Sequence, residues 1–220
     1  MLLQKEREEV VEYSLKASQS GLCPGTSGNL SAFHKFAGMM AITPSGIDYD
    51  KMCPEDVVVM DLEGHILDGY RKPSSEWGMH SVFYKNRPDV CGVVHTHSMY
   101  CTTFAILQKP IRMIHYEIAN VNNSEVPVAP YRLFGTPELA EEAYRTCGKG
   151  NAVLLSNHGI VVCGKDLAGA FALASSLENA AELQYHAEAI GRPNVLTDEQ
   201  MDAVRVRFGS YGQGDGRSSY

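Results

Sequence analysis

This chain of 220 residues has no long hydrophobic run, no dense basic stretch and no CxxC cysteine pair, and each absence removes a class of protein. A membrane-spanning helix needs ~18 or more consecutive apolar residues, and none occurs. The N-terminal segment "MLLQKEREEVVEYSLKAS" reads as a charged helix and lacks the apolar core of a secretory leader. The formal net charge is −7, and without a Lys/Arg cluster nucleic acid is a poor partner. A phosphorylated small molecule stays open, because backbone N–H groups hold an anion without net positive charge. The six cysteines (Cys23, Cys53, Cys91, Cys101, Cys147 and Cys163) are too sparse for a disulfide scaffold, and "VCGVV" and "IVVCG" suit buried free thiols. These features predict a cytoplasmic protein. There is no internal repeat and no linker, so one α/β domain over 1–220 is expected.

Helical spacing over 5–20 predicts a helix with Val10, Val11 and Leu15 inward and Gly21 as its stop. "CPGTSGNLSAF" leads into a strand and "GMMAITPSG" forms a second. "DVVVMDLEGHIL" reads as two strands around a turn. "PSSEWGMHSVFYKNRP" opens with Pro and Ser caps and continues as a helix to about Asn86. "DVCGVVHTHS" is a buried strand, followed by a helix in "MYCTTFAILQ". "VPVAPY" is extended and "TPELAEEAYRTC" is a capped helix. "NAVLLSNHGIVVCG" gives two strands meeting at Asn157-His158-Gly159. Two helices follow, and the Gly/Ser-rich segment 209–220 is expected to be a mobile tail. Strands joined by tight turns suggest antiparallel pairing. The expected fold is a three-layer α/β/α sandwich around a central mixed, largely antiparallel sheet.

His95 and His97 stand two residues apart at a strand end, which puts both rings on one face. Neutral imidazole is a common zinc ligand, and three protein ligands plus an open position define a catalytic zinc site. His158 is the best third ligand, since it too sits at a strand end. His80, four residues after Glu76 on a predicted helix, is the runner-up. His34, His65 and His186 are less suitable. Any one of these rings could instead be a satisfied core or surface residue. HxH also occurs in barrel metalloenzymes, but those need roughly 250 residues and strict strand–helix alternation.

Three small-residue segments could surround an anion. "GTSGN" offers Thr26, Ser27, Gly28 and Asn29; "TPSG" offers Thr43, Ser45 and Gly46; "PSSE" offers Ser74 and Ser75 at a helix start. A turn or N-cap explains each one alone. Their occurrence together with a metal motif favours the phosphate reading.

In this order and spacing, "GTSGNLS", "ITPSG", "KPSSEW", "VVHTHS", "HYEIA" and "SNHGIV" resemble the class II aldolase/adducin family, from about residue 5 to residue 211. The resemblance implies zinc held by His95, His97 and His158, with Glu76 as acid/base and as an additional ligand when substrate is absent. It places Thr26, Ser27, Gly28, Asn29, Thr43, Ser45, Ser74 and Ser75 in phosphate-binding segments and Phe134 on the wall of an aldehyde pocket. Tyr116 matches a tyrosine contributed by a neighbouring subunit, and Tyr211 one in a mobile tail. Homotetramers with sites between subunits are implied. "PYRLFGTPEL", "SSEW" and the F-x-x-Y-G near the tail are similar to the branch that cleaves L-fuculose 1-phosphate to dihydroxyacetone phosphate and L-lactaldehyde.

The chemistry is coherent on its own terms. Breaking a C–C bond beside a ketone leaves an enediolate, whose charge is held either by a Schiff-base lysine or by a metal acting as Lewis acid. No lysine lies in an apolar stretch, so the histidines point to the metal. Same-fold alternatives are a ribulose-5-phosphate 4-epimerase, which typically carries Asp where Glu76 stands, an oxo-tetronate-phosphate decarboxylase and a methylthioribulose-phosphate dehydratase. A non-enzymatic adducin-like scaffold would lack the histidines.

Overall fold

The computed structural model describes residues 1–209. Tyr211 and almost all of the expected tail lie outside these described residues. The chain begins with α1 (Gln4–Gln19), followed by β1 (Asn29–His34) and β2 (Met39–Ile42). Next come β3 (Val58–Asp61), β4 (Ile66–Asp68), α2 (Trp77–Asn86), β5 (Gly92–Thr96) and α3 (Met99–Leu107). The short pieces β6 (Ile111–Arg112), β7 (Glu125–Val126) and β8 (Val128–Ala129) precede α4 (Pro137–Cys147). The chain continues with β9 (Ala152–Leu155), β10 (Gly159–Gly164), α5 (Leu167–Ile190) and α6 (Asp198–Phe208).

Eight strands form one sheet in the order β4-β3-β2-β1-β5-β10-β9-β8. Every pairing in it is antiparallel except β8 with β9. The expected mixed, largely antiparallel sheet is therefore present. Successive strand residues point to opposite faces, and the two faces build two cores. Leu30, Ala41, Val94, Ile160 and Val162 pack with Val10 and Ala17 of α1, Phe104 of α3 and Leu173 and Leu177 of α5. Met40, Ile42, Val93 and Val161 pack with Met79 and Phe83 of α2 and Leu139 and Ala143 of α4. Each fully buried Leu, Val, Ile, Met or Phe contributes roughly 1.5–3 kcal/mol over an exposed one.

Three local expectations change. In α1 the buried residues are Arg7, Val10, Ser14 and Ala17, while Val11 and Leu15 are only partly covered. The small Ser14 and Ala17 let the helix approach the sheet. The Arg7 guanidinium is tolerated inside because it donates to the carbonyls of Leu2, Pro54 and Val57 and pairs with Asp68. Second, α2 starts at Trp77 with Glu76 as its N-cap, without a serine cap. Ser74 is tied to the sheet instead, through Ser74 N donating to Thr43 O and a bridge between Pro44 and Pro73. Third, a 3-10 helix at Tyr116–Val121 and the two-stranded β6–β7 ribbon had no signal in the sequence, being too short to carry a period.

Candidate active site and metal centre

The site grows from the three central strands. Asn29 on β1 lies opposite His95 on β5, and His95 lies opposite Val161 on β10. Partners across an antiparallel ladder share a face, so Asn29 and His95 both point toward the α2 layer. His97 follows one residue after β5 ends. His158 sits in the β9–β10 turn, where Asn157 takes a φ of 57°, a conformation Asn tolerates in tight turns. Two glycines make the convergence possible. A Cβ on Gly28 would lie 2.6 Å from both Cys23 Sγ and His95 O, and one on Gly159 would lie 2.3 Å from Thr96 O. Side chains there would force apart the strands that aim the rings.

The ligand atoms of His95, His97 and His158 lie within 4.8 Å of one another. Nδ1 of His95 is 3.0 Å from Ile160 O, which can only accept, so Nδ1 carries a proton and Nε2 is the atom left to act as a ligand. That Nε2 lies 3.0 Å from His97 Nε2 and 3.2 Å from Glu76 Oε2. Burial lowers the His97 and His158 rings to about 4, with the neighbouring histidines adding to the effect, so both are neutral near pH 7. Burial pushes the Glu76 carboxyl up, but positive charge at the His95 and His158 position, carried by protonated rings or by a cation they hold, together with the donating Asn29 amide, outweighs it and holds Glu76 below the usual carboxylate range. Its Oε1 lies 3.6 Å from His158 Nε2 and has no hydrogen-bond partner among the described residues. Lone pairs and a carboxylate thus converge on one point, and they repel one another unless a cation stands between them. The donor set fits a divalent metal.

Beside the cluster lies a cavity of about 400 Å³. Thr26, Ser27, Gly28, Asn29, Ser45, Gly46, Ser74, Ser75, Glu76, His97, Phe134 and His158, all predicted, line it. Gly46 takes a positive φ of 70°, which opens the turn beside it. His95 stands fully buried behind this wall. Two predicted residues are elsewhere. Thr43 is fully buried, and its hydroxyl accepts from Leu30 N on the neighbouring strand, so it serves the sheet and does not line the cavity. Tyr116 is half-exposed on a separate surface with Ala203, Val204 and Phe208.

The sequence reading missed Pro44, Tyr131, Arg132 and Asn157, which also line the cavity. Arg132 is the one fixed cation among the described lining residues, and its Nη2 is held 2.9 Å from Glu142 Oε2. Membership of the "PYRLFGTPEL" segment, beside Phe134, is the signal that could have flagged Tyr131 and Arg132. His80, the runner-up ligand, does not face the cluster. It is fully buried, with Nε2 2.6 Å from Asn29 Oδ1 and Nδ1 2.6 Å from Ser31 Oγ. Residue i+4 on α2 points into the helix–sheet interface, and both ring nitrogens are used there.

A layered sheet with three converging imidazoles that could hold a metal, beside a hydroxyl-lined cavity, is the arrangement of a metal-dependent enzyme. Residues 8–185 match the Class II Aldolase and Adducin N-terminal domain, and the chain belongs to this family. It is 43% identical over 213 residues to a 5-deoxy-D-ribulose 1-phosphate aldolase of Bacillus thuringiensis serovar kurstaki, covering 97% of this chain and 100% of that one. It is 38% identical over 209 residues to an L-fuculose phosphate aldolase of Escherichia coli (strain K12), covering 94% and 96%. A solved L-fuculose 1-phosphate aldolase superposes with a TM-score of 0.91 at 39% identity, covering 95% of this chain and 98% of that chain. The chain is thus a class II aldolase-type lyase, a metal-dependent class. No helix among the described residues is long and apolar enough to cross a membrane.

Proposed function

We propose that this protein reversibly cleaves a methyl-ended ketose 1-phosphate to dihydroxyacetone phosphate and a short aldehyde. The observation that carries the reading is the convergence of three imidazoles and Glu76 beside a cavity rich in hydroxyl and backbone donors. L-Fuculose 1-phosphate and 5-deoxyribulose 1-phosphate share the dihydroxyacetone phosphate half and end in a methyl group. They differ by one CHOH unit, releasing L-lactaldehyde or acetaldehyde. The named activity of the 43%-identical relative favours the shorter aldehyde, and that of the solved neighbour favours the longer one.

His95, His97 and His158 would hold the metal, with zinc the natural fit for imidazole ligands. A bound divalent ion supplies Lewis-acid stabilisation of the charge that develops beside the ketone. The chain's own groups do the rest. Ser45, Ser74, Ser75 and the Thr26–Asn29 loop bind the phosphate and fix the ketone end. In the condensing direction the ionised Glu76 takes a proton from C3 of dihydroxyacetone phosphate, and in cleavage it returns one to the same carbon. As the C3–C4 bond breaks, its electron pair passes to C3 and the C2 carbonyl, and the O4 proton is taken up by the phenolate oxygen of a neighbouring subunit's Tyr116, whose phenol form gives it back to the aldehyde oxygen in the condensing direction. Tyr211 would approach the same site from the C-terminal segment, and Phe134 would wall the aldehyde end. This arrangement requires an oligomer, for which we propose a homotetramer.

A coupled assay for dihydroxyacetone phosphate tests the reading, run on both substrates with and without chelator. Chelator-sensitive release from either one is expected. No release from a metal-loaded sample would move the assignment to a same-fold epimerase or decarboxylase acting on pentulose 5-phosphates or oxo-tetronate phosphates.

A further inference from the structure

Behind the candidate metal centre runs a chain of polar side chains, Tyr84, Ser31 and His80, that the reaction scheme does not use and that ends on Asn29 and Glu76, which it does. The directions of its hydrogen bonds follow from which atoms can only accept. Glu76 Oε2, ionised, accepts from Asn29 Nδ2 at 3.0 Å. That assignment turns Asn29 Oδ1 toward His80, so His80 Nε2 must donate to it at 2.6 Å. Burial holds the His80 ring neutral, lowered to about 3, with His95 adding to the shift and Glu76 opposing it. Its Nδ1 therefore accepts from the Ser31 hydroxyl at 2.6 Å. With the Ser31 proton committed, the Tyr84 hydroxyl donates to Ser31, 2.6 Å from Oγ and 3.0 Å from the carbonyl O. Every proton in the chain points from Tyr84 toward Glu76.

We propose that His80 is a positioning residue for Glu76: by donating to Asn29 Oδ1 it fixes the Asn29 amide so that nitrogen, and never oxygen, faces the Glu76 carboxylate and the anion cavity. The inference rests on the reading of Glu76 as the acid/base group. The two ends of an asparagine amide are nearly the same shape, so packing alone cannot choose between them. A flipped Asn29 would set Oδ1 against a carboxylate and turn an acceptor toward a phosphorylated substrate. The device is built from two periods. Asn29 and Ser31 stand at i and i+2 on one face of β1, and Glu76 and His80 stand at i and i+4 at the start of α2. Helix and strand interlock through the ring, and the carboxylate is aimed by the same element that carries it.

Three readouts test this on the intact protein. Side-chain 15N NMR is expected to show His80 as the neutral Nε2–H tautomer at pH 7 in both metal-free and metal-loaded protein; an Nδ1–H or doubly protonated ring overturns the proposal. His80→Leu is expected to keep its metal but lose about 10–100-fold in kcat/KM, the usual scale for a residue supporting a metal-site group. His80→Gln, whose amide can still donate to Asn29, is expected to recover most of that loss. In an Asn29→Ala background His80→Leu should have no further effect, because both act through one amide. Multiplying losses, or a His80→Leu enzyme within twofold of wild type, overturns it. Should His80→Leu fail to fold, Ser31→Ala in the two backgrounds gives the same non-additivity test. Glu76→Gln separates the two readings: if it is inactive while His80→Leu is normal, only the positioning role fails, and if it turns over normally, the acid/base assignment fails.

Discussion

Two histidine sites lie on either side of Asn29, and their hydrogen bonds run in opposite senses. At His80 both ring nitrogens have partners with matched polarity, one accepting and one donating. At His95 one nitrogen is matched by Ile160 O, while the other faces a second imidazole and a carboxylate. Both rings are fully buried and both adjoin the Glu76 assembly, so burial does not distinguish them. The bookkeeping of donors and acceptors does. A saturated ring can only position its neighbours, whereas converging unmatched lone pairs ask for a cation.

The largest expected break in this comparison comes from His97→Ala. Metal content, read by elemental analysis, and turnover should fall together to the level of the chelated enzyme. Retention of the full metal complement would remove His97 from the ligand set. Glu76→Gln follows, keeping metal and phosphate affinity while losing about 10²–10⁴-fold in turnover, the scale of a lost general acid/base. A steady-state kcat near wild type would contradict its role.

Smaller effects sharpen the picture. Phe134→Ala should change the ratio of kcat/KM between L-fuculose 1-phosphate and 5-deoxyribulose 1-phosphate by about tenfold, because pocket differences of this size are worth ~1–3 kcal/mol. An unchanged ratio would place the aldehyde wall elsewhere. The gentlest effect is on stability. In the metal-free fold His97 and His158 stay neutral to about pH 4 and His80 to about pH 3, whereas the unfolded rings titrate near 6.5. Below pH 6.5 the unfolded state binds protons that the folded state refuses. Stability of the chelated protein should therefore fall as pH drops from about 6.5 toward 4, and be fully present above that window. Melting temperatures of chelated protein at pH 8, 6 and 5 check the sign. A flat or rising trend toward acid would mean that these rings are not held neutral.

Much of the site was legible because it obeys short periods. An HxH at a strand end must put two rings on one face, and "SNHG" between two apolar runs must be a turn. The "GTSGN" and "PSSE" segments announce small, donor-rich backbone. The misplacement of Thr43 has a physical cause: it belongs to the same "TPSG" turn as Ser45, but it is still paired to the sheet, where its hydroxyl meets a backbone N–H. Tyr131 and Arg132 lie within "PYRLFGTPEL" and Asn157 within "SNHGIV", yet nothing in those motifs singled them out as lining residues, because lining a cavity is a property of where a loop lands. His80 was misread for a related reason. Four residues from Glu76 on a helix is the right spacing to share a face, but the face alone does not say whether the ring meets a metal or an amide.

Strand and helix alternation, the sheet-end histidines and the family can all be read from the amino-acid sequence, since they depend on local spacing and residue type. The tertiary structure alone decided which polar groups remain unmatched. Hydrogen-bond saturation depends on atoms brought together from residues 47 and 65 positions apart, Asn29 with Glu76 and His95 with Ile160, and no local period encodes it.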